Sequence, residues 1–376
     1  MPMNRKHILA LIACFITGLF FYLQKTTLHQ SGQEAPYVNV YNWYGMIPHE
    51  VLRQFEKETG IRVRYDLYDN NEVLEAKLLA SNSGYDVVFP SASPYVARQI
   101  AAKVYQPLNK ALLPNLVELD PVIVSQMNVA DPGIVYAIPY YWGTLGFAYV
   151  KETIDSIIPN APYDSYRMLF DPEILGKLKG CGVSLLEEAV DVIPLTLAYL
   201  GLDRNSDSLE DLEKAYQHLL KLRSSVRRFN SARFITDLVM GDVCLAQAWS
   251  GDIQAAETQA KELGKTIVYV VPVEGSTLWI DAVAIPTGAP HPLNAHRFID
   301  FLLRPEIAAL ITNATLLPTA VTKSLPLIKP EILRNPTIYP SEKVMKKLYL
   351  DKPQNTKESL NYDRARTRTW AKVRLG

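Results

Sequence analysis

The sequence predicts an α/β protein built as two lobes. Three observations carry this. From residue 36 onward, strand-like and helix-like segments alternate, the pattern of a parallel sheet covered on both faces. The chain has 376 residues, too many for one core and suited to two. Two long apolar runs, "YAIPYYWGTLGFAYV" with Pro139 and Gly143 inside it and "STLWIDAVAIP", read as strands that leave one lobe and return to it.

The elements follow in order. "MPMNRKH" carries Arg5 and Lys6, and the run Ile8 to Leu23 is uncharged. A basic start before such a run predicts an export signal within residues 1–30. The run is slightly short for a membrane span; an uncleaved anchor, or lipidation at Cys14, is the alternative. "YVNVYNWYG" alternates as a strand. "IPHEVLRQFEKETG" places Val51, Leu52 and Phe55 on one helical face, with Gly60 as C-cap. "IRVRYDLYD" is a second strand. "NNEVLEAKLLASNSG" is a helix capped by Asn70 or Asn71, with Gly84 past its end. "YDVVFPSAS" is a third, fully apolar strand.

After the first crossing, "GCGVSLL" and "DVCLAQAWS" read as strands, with helices over 187–201 and 208–222 between them. "IVYVVPVEG" and "LWIDAVAIP" form the return. "LNAHRFIDFLLRPEIAALI" reads as one amphipathic helix with Phe298, Phe301, Leu302, Ile307 and Leu310 inward. The stretch 324–340 reads as surface connection and the basic tail as a docked helix with a solvated face. Lobe 1 is expected over 36–140 plus approximately 275–325. Lobe 2 is expected over 141–274 plus approximately 326–376.

Composition excludes several functions. Acidic and basic side chains are equal at 39 each, so the basic footprint of general nucleic-acid binding is missing. There is no G-x-S-x-G, no H-E-x-x-H and no nucleophile–His pairing, which argues against a hydrolase. No CxxC or Cys/His spacing suggests a metal site, and no cofactor is expected. Outside the N-terminal run the cysteines are Cys181 and Cys244. In an oxidising compartment two cysteines suggest one bridge, closing a loop of roughly 60 residues that contributes about 4 kcal/mol in the chain-entropy model. Two separate buried thiols are the other reading.

Ligands of open parallel sheets bind outside the carboxyl ends of the strands. Trp43 ends the first strand, and Ser91 and Ser93 end the third. The crossing carries Tyr140, Tyr141 and Trp142. The second lobe adds Asp191 near a helix start, then Trp249 and Asp252. The return adds Trp279 and Asp281. Carboxylates pair with an ammonium group, aromatic faces attract it, and flat rings wall a methylene chain. No Lys or Arg stands in this set, so it suits an organic cation, and a linear diamine where two acidic clusters flank an aromatic corridor. Singly, each Trp also fits a core, and Asp252 also fits a helix cap.

"VYNWYGMIPHEVLRQFEKETGIRVRYDLYDNNEVLEAKLLASNSGYDVVFPSAS" resembles the first part of bacterial periplasmic polyamine-binding proteins, the putrescine-binding type above all. The likeness continues through "GCGVSLL", "GDVCLAQAWSGD" and "NPTIYPSEKVMKKL" to "DRARTRTWAKVRLG". It implies the type II periplasmic binding protein fold: two α/β lobes, a hinge of crossing strands and a ligand cleft between them. It implies a non-catalytic carrier that delivers a polyamine, such as putrescine or spermidine, to an inner-membrane ABC permease. A monomer is expected. A membrane-tethered sensor of a small amine is the alternative.

The resemblance places the ligand site at Trp43, Ser91, Asp191, Trp249, Asp252, Trp279 and Asp281, and it implies that Cys181 and Cys244 are bridged. Tyr44 joins the set as the neighbour of Trp43. It is also a departure, because relatives carry Ser-Asp or Thr-Glu where Tyr44 and Gly45 stand. A pocket Tyr of the relatives falls near Leu316 or Leu317, and Asp191 replaces a Glu. These losses leave the Asp252/Asp281 end intact and make a smaller or differently spaced amine an open choice.

Overall fold

The structure is a computed structural model that describes residues 34–80, 82–353 and 355–375. The export segment expected over 1–30, with Cys14, lies outside the described residues. The strands are β1 (Tyr37–Trp43), β2 (Arg62–Tyr68), β3 (Val87–Val88), β4 (Ala137–Val150), β5 (Val183–Leu185), β6 (Arg228–Phe229), β7 (Leu245–Trp249), β8 (Ile267–Val270), β9 (Ser276–Ala284) and β10 (Leu348–Tyr349). The sheet order is β2-β1-β3-β9-β4-β7-β5-β6, with β8 on β4 and β10 on β9.

Local chemistry explains the first elements. The helix His49–Thr59 buries Val51, Leu52 and Phe55. It stops at Gly60, whose φ of 71° presents its N–H to Glu56 O, a left-handed cap that a glycine adopts without strain. Asn70 caps the next helix, Asn71–Leu79, by accepting from Val73 N. That helix ends at Ala80, before the expected Gly84.

The core divides in two along β4. Ala137 to Trp142 belong to one buried cluster, while Leu145 to Val150 belong to the other. Gly143 and Thr144 therefore mark the crossing. β9 runs antiparallel to β4, pairing Gly143 with Trp279 and Tyr141 with Asp281. Cys181 and Cys244 form a disulfide in the second lobe, with Cα atoms 5.5 Å apart. It ties the entries to β5 and β7, which pair in parallel.

Four expectations are corrected. The sheet is mixed, because a strand that leaves a lobe and one that returns must run in opposite directions: β4–β9, β4–β7, β4–β8 and β3–β9 are antiparallel. The third strand is only Val87–Val88, and the chain turns into a short helix at Ala92. The single helix expected over 293–311 is two, Pro292–Leu302 and Pro305–Thr315. Pro305 lacks an N–H and obstructs the preceding turn, so it opens a helix rather than continuing one. Residues 326–350, expected with the second lobe, pack on the first. Ile328, Ile332 and Ile338 cluster with Ala309, and Leu348 and Leu350 join the first core. Only the C-terminal helix, Lys357–Leu375, packs on the second core, through Tyr362, Trp370 and Val373.

Candidate functional site

The candidate site is strung along β9. Trp279 and Asp281 are two residues apart on one strand, so their side chains share a face. At Asp281, Ser91 bridges across: its Oγ donates to Asp281 Oδ1 at 2.7 Å. Asn71 holds Ser91 from behind, with Nδ2 to Ser91 Oγ at 3.0 Å and Oδ1 accepting from Ser91 N at 3.1 Å. Asp281 is buried. Burial pushes its carboxyl up to about 6, and the Ser91 hydrogen bond opposes the shift. Trp43 ends β1, its Nε1 donating to Phe89 O at 3.0 Å. Its ring lies 4.5 Å from that of Tyr68, whose hydroxyl also reaches Phe89 O.

Trp279 joins the lobes. A Cβ on Gly143 would fall 2.2 Å from Trp279 Cζ2, and one on Gly251 would fall 3.6 Å from the same atom. The indole thus fits only because β4 carries glycine opposite it, and its edge meets the first turn of the helix Ser250–Glu262. Trp279 Nε1 is buried and, among the described residues, without a hydrogen-bond partner. Asp252 stands in that first turn. The N-cap position is held by Trp249, so Asp252 is not the N-cap residue. Burial pushes its carboxyl up to about 6.

A second acidic group stands near Trp249, which is half-buried with its ring 6.1 Å from Phe234. Asp191, in the first turn of the helix Ala189–Tyr199, has its carboxyl held well above the ordinary range. Burial is the largest cause, followed by repulsion from Glu188 and Asp351; a hydrogen bond from Trp249 and the charge of Arg366 oppose it. Burial also raises Glu188, which accepts from Ser231 Oγ, and pushes Asp351 up to about 6 against Arg366 and Arg204. Sequence reasoning missed Glu188 and Asp351. Glu188 was legible as the residue just before the helix that carries Asp191. Asp351 sits in a connection with no periodicity to mark it.

The predicted residues thus fall into groups. Ser91 bonds Asp281, which shares β9 with Trp279; Trp43 packs on Tyr68 at Phe89; and Trp249 stands by Asp191. Gly251, next to Asp252, touches Trp279. Tyr44 is not brought in: it is 82% exposed on the turn after β1. Tyr140, Tyr141 and Trp142 are buried in the first core, where Trp142 Nε1 donates to Thr319 O at 3.0 Å. Leu317, near the place of the relatives' Tyr, lies where a Cβ on Gly251 would come within 2.7 Å of its Cδ2. Between the lobes, Ser93 and Pro94 face Val190, Pro194, Asp351 and Arg366 across a small cavity.

Two α/β lobes around a shared acidic and aromatic site define a solute-binding protein. The profile of bacterial extracellular solute-binding proteins matches residues 50–340, and the chain belongs to that family, whose members bind and carry without catalysis. Within it, the chain stands with the putrescine-binding periplasmic type. It is 44% identical over 344 residues to the putrescine-binding periplasmic protein SpuD of Pseudomonas aeruginosa, covering 90% of this chain and 92% of that one. It is 39% identical over 378 residues to the putrescine-binding periplasmic protein PotF of Escherichia coli, covering 100% and 99%. Among solved structures, the spermidine/putrescine ABC transporter substrate-binding protein PotD of Streptococcus pneumoniae superposes with a TM-score of 0.77 at 26% identity, covering 90% of this chain and 100% of that one.

Proposed function

We propose that this protein captures a polyamine in the periplasm and delivers it to an inner-membrane ABC permease. The observation that carries this reading is the carboxylate pair Asp252 and Asp281. Burial raises both, and among the described residues neither has a Lys or Arg within ion-pair distance. A buried carboxylate with no counter-charge is costly. A ligand ammonium supplies that charge and accounts for the arrangement. Trp279 and Trp43 offer faces to the methylene chain and to the cation. Ser91 orients Asp281. Asp191, with Glu188 and Asp351, receives the far end. Three carboxylates there, near two guanidinium groups, suit a second and a third ammonium, which favours a spermidine-like ligand alongside putrescine.

The relatives' names support the same class: SpuD and PotF are putrescine-binding periplasmic proteins, and the Streptococcus protein is a spermidine/putrescine carrier. The mechanism is closure. A ligand that touches both lobes only when they are shut stabilises the shut form by its differential affinity. The test is thermal melting with putrescine, cadaverine, spermidine, spermine and agmatine. A binder at a hundredfold excess over its Kd adds about 2.7 kcal/mol, so at least one amine raises the Tm. No rise with any of the five contradicts the proposal.

A further inference from the structure

One charged chain crosses from lobe to lobe and ends at Arg366, beside the second acidic group. Glu75, on the helix Asn71–Leu79, binds Arg98 through both carboxylate oxygens, with Oε1 accepting from Nε at 2.7 Å and Oε2 from a terminal nitrogen, Nη2, at 2.5 Å. The Tyr95 ring lies 4.4 Å under the guanidinium. The remaining terminal nitrogen of Arg98, Nη1, stands 3.7 Å from Asp363 Oδ2. The other oxygen of Asp363 accepts from Arg366 at 2.5 Å. Glu75, Arg98, Asp363 and Arg366 therefore alternate in sign. Their side chains are between 7% and 19% exposed, well below the surface pairs that contribute little.

The two halves of this chain belong to different lobes. Ala97, next to Arg98, is in the first core. Asp363 follows Tyr362, which is in the second. Among the described residues, Arg98–Asp363 is the one ion pair that joins lobe 1 to the C-terminal helix. Each partner is fixed from its own side, Arg98 by Glu75 and Tyr95, Asp363 by Arg366. Each also keeps one atom turned toward the other lobe.

We propose that Arg98 and Asp363 form a latch across the lobes that sets the balance between shut and open forms. Separating the lobes breaks only the central contact and leaves two internally neutral pairs, Glu75–Arg98 and Asp363–Arg366. No buried charge is stranded, so the latch opens readily and shifts the balance without locking it. It acts on closure, not on the ligand, and in that respect rests on the proposed reading of the cleft as a closing one. Arg98 and Asp363 are positioning residues: the loss of Arg98 weakens every amine by the same factor, while the loss of Asp363 also releases Arg366 beside Asp351.

The experiment pairs two readouts. Small-angle scattering of the ligand-free protein reports the open fraction independently of any amine. Calorimetry with putrescine and with spermidine reports affinity. Asp363→Asn and Arg98→Met are each expected to expand the ligand-free protein and to weaken both amines about two- to tenfold. The double variant is expected to be no weaker than the worse single one. Asp363→Lys, which sets like charges against Arg98 and Arg366, is expected to expand the protein further. Unchanged scattering in Asp363→Asn and Asp363→Lys overturns the latch, as do losses that add in the double variant. If the unsubstituted protein binds neither amine, the ligand reading fails, while the scattering still decides the latch.

Discussion

The two acidic ends of the cleft differ in what faces them. At one end Ser91 donates to Asp281, Asp252 follows Gly251 at the edge of the Trp279 indole, and burial raises both carboxyls with no cation to oppose it. At the other end Asp191, Glu188 and Asp351 crowd together, but Arg366 and Arg204 stand among them. The first end depends on its guest for charge balance. The second is partly balanced by the protein itself. The first end should therefore carry most of the affinity for an ammonium group, and the second should adjust which amine is preferred.

Breaking the first end is expected to have the largest effect. Asp281→Asn and Asp252→Asn are each expected to weaken amine binding about a hundredfold or more, the loss typical when one partner of a buried, hydrogen-bonded charge pair is removed. Calorimetry with putrescine and spermidine measures it. Neither variant should melt lower than the parent without ligand at pH 8. A carboxyl whose folded value lies above its ordinary 3.8 stabilises the fold at low pH, and that contribution is lost as pH rises through about 6.

The corridor between the ends comes next. Gly143→Ala places a Cβ 2.2 Å from the Trp279 ring. Displacing that ring is expected to weaken both amines roughly tenfold and to change the Trp fluorescence of the ligand-free protein. An unchanged affinity would remove Trp279 from the corridor. Asp191→Asn at the second end is expected to cost less than Asp281→Asn, about three- to tenfold, because Glu188 and Asp351 remain. The loss should fall more on spermidine than on putrescine in a direct comparison of Kd values. The smallest effect is expected at Tyr44→Ala, within about twofold by the same titration, since the side chain is 82% exposed.

Much of the first end was legible in the sequence. Trp279 and Asp281 alternate on an apolar strand, and period two puts them on one face. The crossing strands announced themselves by length, and the stop at Gly60 by the glycine. The second end was less legible for physical reasons. Asp351 lies in an irregular connection, and the charges that act on it, Arg366 and Arg204, are distant along the chain. Pro305 was in plain view, yet the apolar period on either side of it masked the break. The antiparallel pairings followed from the crossings rather than from the strands' own composition. Tyr44 stands where relatives carry a hydroxyl residue, and one step past Trp43 at the end of the strand leaves it in solvent.

The central claim is that buried carboxyls near pH 6 wait for a ligand ammonium. Calorimetry of putrescine binding at pH 6, repeated in buffers of different ionisation enthalpy, counts the protons exchanged. With Asp252 and Asp281 both at about 6, and the raised carboxyls of the second end adding to them, binding is expected to release at least about one proton per ligand at pH 6 and fewer at pH 8. Binding at pH 6 with no proton release, in a protein that still holds the amine, would contradict the account.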